Sequence, residues 1–208
     1  SELVGGSLYW NNKSGSCYNG KNNATISCDF TSTGMNDTLK EIIGDVVWNT
    51  GASISEAILS EKFYQDERGI NVGKVCGASY ACNDTVARTT TWTGKVGLMY
   101  PSDYGYATSG SNTTNRSTCL NTNLSRWNSY SDCYNNDWLY IGDMWQYTMT
   151  PRANSVISYQ SFHCHNGGHV GADAVGIKGY VIPVVYLLSS VRIISGIGSS
   201  SDPFILGM

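Results

Sequence analysis

Apolar and polar positions change period several times along this chain, and the changes mark its predicted elements. Asn36-Asp37-Thr38 ahead of Leu39–Ile43 reads as an N-cap followed by a short helix or turn. Val46, Val47 and Trp48 form a short apolar run, which predicts a strand over Asp45–Asn49. Ile54, Ile58, Leu59 and Phe63 then recur at helical spacing behind Ser53, with Glu56 three positions on. That pattern predicts a helix over Ser53–Arg68, closed by Gly69. Trp92 to Tyr100 predicts a strand ending at Pro101, the Ser-, Thr-, Asn- and Gly-rich stretch 102–118 predicts a loop, and Leu120–Tyr130 predicts a short helix. Further strands are predicted at Leu8–Trp10, Trp138–Ile141, Trp145–Thr150, Val156–Phe162, Tyr180–Leu187 and Val191–Ile194, with a last edge strand in Ser199–Leu206. Many short strands, few helices and no repeat or linker predict one α+β domain over residues 1–208. Residues 1–44 are then an amino-terminal extension or the first strands.

Composition narrows the function. Charged residues make up 14% of the 208, against about 25% in ordinary soluble domains. The net charge of -3 leaves no basic excess to neutralise phosphates, which excludes nucleic acid as a partner. The 41% hydrophobic and 12% aromatic content excludes global disorder. Asn, Ser, Thr, Gly and Tyr must supply the polar surface, which suits an extracellular or cell-surface protein. No apolar run reaches the ~18 residues of a membrane span. The longest, Tyr180–Leu188, contains Pro183 and reads as a buried strand. The expectation is a mature or truncated ectodomain, attached to a membrane only through an anchor ahead of Ser1.

Six of the seven cysteines fall into local pairs: Cys17 with Cys28, Cys76 with Cys82, and Cys119 with Cys133. These spacings do not suit zinc, which favours two sets of cysteines two to four residues apart. Three local disulfides fit better and imply an oxidising compartment, although six cysteines allow ~15 pairings. Cys164 is left over. Asn-x-Ser/Thr sequons, such as those at Asn12 and Asn112, arise by chance in a chain this rich in those residues.

The segment from Ser155 to Lys178 holds all three histidines, His163, His165 and His169, together with Cys164. On a strand, His163 and His165 share one face and Cys164 points to the other, which breaks up a His-Cys-His metal cluster. The expectation is no metal, no cofactor and no catalytic group, since a cysteine nucleophile needs a histidine beside it and an orienting Asn or Asp. No ligand-loop spacing supports a Ca²⁺ site among Asp132, Asp137, Asp143 and Asp173. Six Trp and fourteen Tyr exceed what a core of this size needs, and recognition surfaces use both residue types. Trp48, Trp92, Trp127 and Trp138 are assigned to the core, whereas Tyr147, Tyr159 and Phe162 are the surface candidates.

The motifs Trp92-Thr-Gly-Lys-Val-Gly-Leu-Met-Tyr-Pro-Ser-Asp-Tyr-Gly-Tyr-Ala107, Thr148-Met-Thr-Pro151, Pro183-Val-Val-Tyr-Leu187 and Gly198-Ser-Ser-Ser-Asp-Pro-Phe204 resemble, in order, a domain of unknown function in gut Firmicutes surface proteins. The Cys119…Cys133…Asn136-Asp-Trp-Leu stretch adds to the resemblance, which covers roughly residues 45–208. That domain is similar in turn to the C-type-lectin-like fold of formylglycine-generating enzymes and of the variable proteins of diversity-generating retroelements. The matching segments are Trp145–Pro151 and Gly179–Tyr186, with Ile182 where that family usually carries Arg. The resemblance implies a ligand face at Trp145, Tyr159, His163, His165, Asn166, His169, Asp173, Lys178 and Tyr180. It implies a variable region over residues 145–187, although loop drift gives the same composition as retroelement diversification. The expected function is a secreted or surface-displayed, adhesin-like domain that binds a protein or glycan. The alternative is a pilin-associated structural subunit, homo-oligomeric in a surface filament.

Overall fold

The computed structural model describes residues 37–69, 91–142, 145–152, 160–174, 179–199 and 201–208. Near its start, α1 (Asp37–Ile42) carries Asp37 in its first turn and Lys40 near its end, as the helix dipole favours. Then β1 (Val46–Asn49) pairs antiparallel with β2 (Thr91–Gly94), and Trp48 lies opposite Trp92. Trp48 is buried, donates its indole N–H to the Gly94 carbonyl at 2.8 Å, and packs on Tyr186. Its ring covers Gly97, where a Cβ would sit 2.6 Å from the indole.

The second helix is shorter than its periodicity predicts. It spans Ser60–Glu67 (α2) and ends at Gly69, whose φ of +67° suits only glycine. Ser53 does not cap it. The Ser53 hydroxyl donates to the buried Asp66 carboxylate at 2.7 Å, and its N–H donates to the Pro151 carbonyl at 3.2 Å. These tertiary bonds hold residues 53–59 in an irregular path. The strand predicted up to Pro101 divides into β2 and β3 (Val96–Leu98), and the loop predicted after it begins as a helix. Pro101 occupies the first position of α3 (Pro101–Ala107), where its missing N–H costs nothing, and Asp103 accepts the Tyr100 N–H at 3.0 Å. Glu67 is buried beside this helix and accepts the Ser102 N–H at 2.9 Å and the Ser102 hydroxyl. Burial pushes the Glu67 carboxyl up to about 7.

Next come α4 (Arg116–Leu120), a 3-10 helix (Leu124–Ser129) in the predicted helical stretch, and α5 (Ser131–Asn135). The disulfide Cys119–Cys133 ties α4 to α5. The other four cysteines expected to pair, Cys17, Cys28, Cys76 and Cys82, lie outside the described residues, as do Leu8–Trp10. The core gathers Phe63, Met99, Tyr104, Leu124, Trp127, Phe162, Cys164 and Val170 around this disulfide. Trp127 belongs to the core as expected. Trp92 and Trp138 do not, being 48% and 78% exposed. The strand predicted over Trp138–Ile141 is a turn, held by the Asp137 carboxylate accepting the Leu139 N–H at 2.8 Å.

The largest sheet has the order β6-β5-β4-β7: β6 (Val170–Ala174), β5 (Gln160–Cys164), β4 (Gln146–Pro151) and β7 (Tyr180–Val181). Its pairs are antiparallel except β4–β7, which is parallel. The apolar run after Tyr180 is not one buried strand. It breaks at Ile182, and β8 (Pro183–Val185) pairs with β3 instead. Tyr186, Leu187 and Leu188 are exposed. Finally, β9 (Arg192–Ser195) and β10 (Ile205–Gly207) form an antiparallel ribbon. The result is an α+β fold with few helices and many short strands. Among the described residues, no helix is long and apolar enough to cross a membrane.

Candidate functional site

The largest sheet sorts its side chains by alternation, and this builds the site. On β5, Phe162 and Cys164 enter the core, fully buried. His163 points to the other face, and His165 continues that face just past the strand. Phe162 is therefore a core side chain and not a surface contact, because its parity along β5 is that of Cys164. Its ring meets Phe63 edge-on at 5.1 Å. Tyr180 pairs in register with Gln146, which itself pairs with Cys164. That register sets Tyr180 on the face away from His163, so it does not join the histidines.

Five of the expected ring residues do come together. Trp145 lies directly before β4 and stacks on His163, with ring centroids 4.6 Å apart and planes 16° apart. His165 lies 5.4 Å from Trp145 and stacks on His169 at 4.4 Å. Tyr147 pairs with His163 in register and meets its ring edge-on at 6.2 Å. The ring of His163 lies across β6 at Gly171, where a Cβ would approach Nε2 to 3.1 Å. Asp173 sits on the same face two residues further along β6. Trp145, His165, His169 and Asp173 are half-buried, whereas His163 and Tyr147 are buried. Asn166 is exposed at the tip of the turn. Tyr159 and Lys178 lie outside the described residues.

The turn that carries His165 and His169 is braced from below. The His165 N–H donates to the His169 carbonyl at 2.8 Å, and Gly168 N–H donates back to the His165 carbonyl at 2.8 Å. Gly167 N–H donates to Nδ1 of His165 at 3.0 Å. Tyr104 donates its hydroxyl to the Gly168 carbonyl at 2.9 Å, and Tyr140 donates to the Asn166 carbonyl at 2.5 Å. Gly168 has φ +79°, and a Cβ there would lie 2.1 Å from the Tyr134 ring. Only glycine fits both the backbone conformation and the space. These supports were missed in the sequence, although Asn166-Gly167-Gly168 between two apolar stretches is a recognisable hairpin-turn signal.

The electrostatics make this a neutral platform. Burial pushes the His163 imidazole down to about 4, the His165 charge pushes the same way, and Asp173 opposes them. Burial lowers His165, and burial with the His165 charge lowers His169. All three are uncharged at pH 7. The stacking directs ring faces at one another. Among the described residues, no three His, Cys, Asp or Glu side chains are placed to hold a metal ion. Cys164 lies beneath the sheet with its thiol pushed well up by burial, next to Asp137, whose carboxyl burial raises to about 7. A buried neutral thiol on the face opposite the histidines makes no Cys–His pair.

No family model, no curated protein and no solved structure matches this chain.

Proposed function

We propose that the chain is a binding domain with a C-type-lectin-like organisation, displayed outside the cell, whose ligand face is the half-buried ring platform of Trp145, His165 and His169, backed by the buried His163. The observation that carries this reading is the continuous stack of Trp145 on His163 and of His165 on His169, with the two stacks 5.4 Å apart. Aromatic rings offer large contact area at low entropic cost, and no charge on these rings has to be desolvated at pH 7. Such a surface suits the C–H faces of a sugar or a neutral protein epitope. The disulfide fits an oxidising compartment. Among the described residues of this face, variation, by retroelement or by drift, has room at those outside the core: Trp145, His165, Asn166, His169 and Asp173. Phe162 and Cys164 are excluded by their burial.

The test is a screen of immobilised glycans and displayed peptides with the protein and with a Trp145→Ala, His165→Ala double variant. Losing two central ring contacts should weaken a specific hit by about 30-fold or more. Hits that the double variant keeps at full affinity, or no hit at all, overturn the assignment.

A further inference from the structure

Asn166 and Gly167 are the two central residues of the turn between β5 and β6, which Gly168 N–H closes by donating to the His165 carbonyl at 2.8 Å. Asn166 is exposed, and among the described residues its side-chain amide makes no hydrogen bond. The peptide group that joins the two residues is engaged at both ends. Its carbonyl oxygen, on Asn166, accepts the Tyr140 hydroxyl at 2.5 Å. Its N–H, on Gly167, donates to Nδ1 of His165 at 3.0 Å.

Most peptide N–H groups in a folded chain donate to carbonyl oxygens, which cannot take the proton away. This one donates to a basic nitrogen, at the distance a general base needs. The His165 ring is uncharged at pH 7, and the bond from Gly167 fixes Nδ1 as its unprotonated nitrogen. Gly167 has no side chain to screen its nitrogen from the neighbouring Asn166 side chain.

We propose that Asn166 and Gly167 form a self-modification site, at which the Gly167 nitrogen attacks Cγ of Asn166 with His165 as general base, and the asparagine becomes aspartate or isoaspartate. Nδ1 of His165 takes the Gly167 proton as the new N–Cγ bond forms. The negative charge left on the peptide group spreads to the Asn166 carbonyl oxygen, where the Tyr140 hydroxyl stabilises it. The Cγ–Nδ2 bond then breaks, the imidazolium returns the proton to the departing nitrogen, and ammonia leaves a succinimide ring. Water opens that ring at either carbonyl, giving aspartate or isoaspartate. The balance is one water consumed and one ammonia released, with no oxidant, cofactor or second protein. Either product sets a carboxylate beside His165 and His169, on a platform that is otherwise uncharged at pH 7. The reaction does not depend on what that platform binds.

The experiment is a time course of the 208-residue chain at pH 7, native and in urea, with the Asn166 peptide resolved by liquid chromatography and mass spectrometry. Unfolding separates His165 and Tyr140 from the peptide group, so wild-type should react at least about tenfold faster native than in urea; general-base assistance is typically worth ~100-fold or more. His165→Gln, at a half-buried position, should slow the native reaction at least about tenfold and leave the rate in urea unchanged. Gly167→Ala has room for its methyl, which would lie 3.4 Å from the nearest atom, Nδ1 of His165, and it should suppress the reaction in both conditions. A native rate equal to or below the rate in urea would overturn the proposal, because it would reduce the site to ordinary Asn-Gly lability. So would a native rate that His165→Gln leaves unchanged.

Discussion

Replacing His163 by Gln should remove one specific slope from the acid stability profile. His163 is buried against Trp145, and burial lowers its folded-state pKa from 6.5 to about 4. The unfolded chain therefore takes up this proton first. Its contribution is intact above pH 6.5 and is lost as the pH falls toward about 4. One pKa unit corresponds to about 1.4 kcal/mol, so the group costs about 3 kcal/mol of stability at pH 4 relative to pH 7. Two buried carboxyls act in the opposite sense. Glu67 and Asp137, each raised to about 7, bind protons more readily when folded and add stability as the pH falls. The net curve of the wild-type protein therefore conceals the histidine. The difference between wild-type and His163→Gln does not, because both carboxyls are common to the two proteins. Urea denaturation followed by tryptophan fluorescence at several pH values between 7 and 4 gives that difference. It should shift by about 3 kcal/mol in favour of the variant as the pH falls. Parallel curves, offset by the same amount at every pH, would refute the burial and stacking assigned to His163.

Three other outcomes follow from the packing. Gly168→Ala should cost at least about 2 kcal/mol, because an L-residue at positive φ costs roughly 1–2 kcal/mol and the Tyr134 ring leaves no room for the methyl; urea unfolding reads it. Removing the disulfide as Cys119→Ser, Cys133→Ser should cost about 3 kcal/mol by the chain-entropy estimate for a loop of this length, and a drop in melting temperature checks it. Glu67 has a raised folded-state pKa, so its contribution is present below 4.5 and is lost as the pH rises through about 7. Glu67→Gln should therefore gain stability relative to wild-type between pH 5 and pH 9, and an unchanged difference over that range would contradict the assigned burial.

The sequence was most readable where local pattern and tertiary role agree. The alternation His163, Cys164, His165 placed the histidines opposite the thiol, and the structure bears that out because β5 is regular up to Cys164. The strands at Val46–Asn49 and Gln146–Pro151, the closing Gly69 and the Cys119–Cys133 pair were legible for the same reason. Pattern failed where a distant partner decides. Ser53 looks like an N-cap, but Asp66 takes its hydroxyl. Pro101 looks like the end of a strand, yet it opens α3 once Glu67 and Asp103 satisfy the N–H groups around it. Phe162 looked like a contact residue because it flanks the histidines, but side-chain parity sends it into the core. Aromatic type alone did not distinguish the buried Trp48 from the exposed Trp92 paired with it.

The buried Cys164 has a practical corollary. Among the described cysteines it alone carries a free thiol, and it is completely enclosed between Gln146 and Val170 on the neighbouring strands. An alkylating reagent can reach it only when the sheet and the core packed beneath it come apart. The rate at which its peptide gains label in native buffer is therefore a clock for the opening of the sheet that carries the histidines. The reporter is native to the chain and needs no engineered probe. Any molecule that settles on the opposite face and holds the strands together should slow that clock, whether or not its chemistry was guessed beforehand.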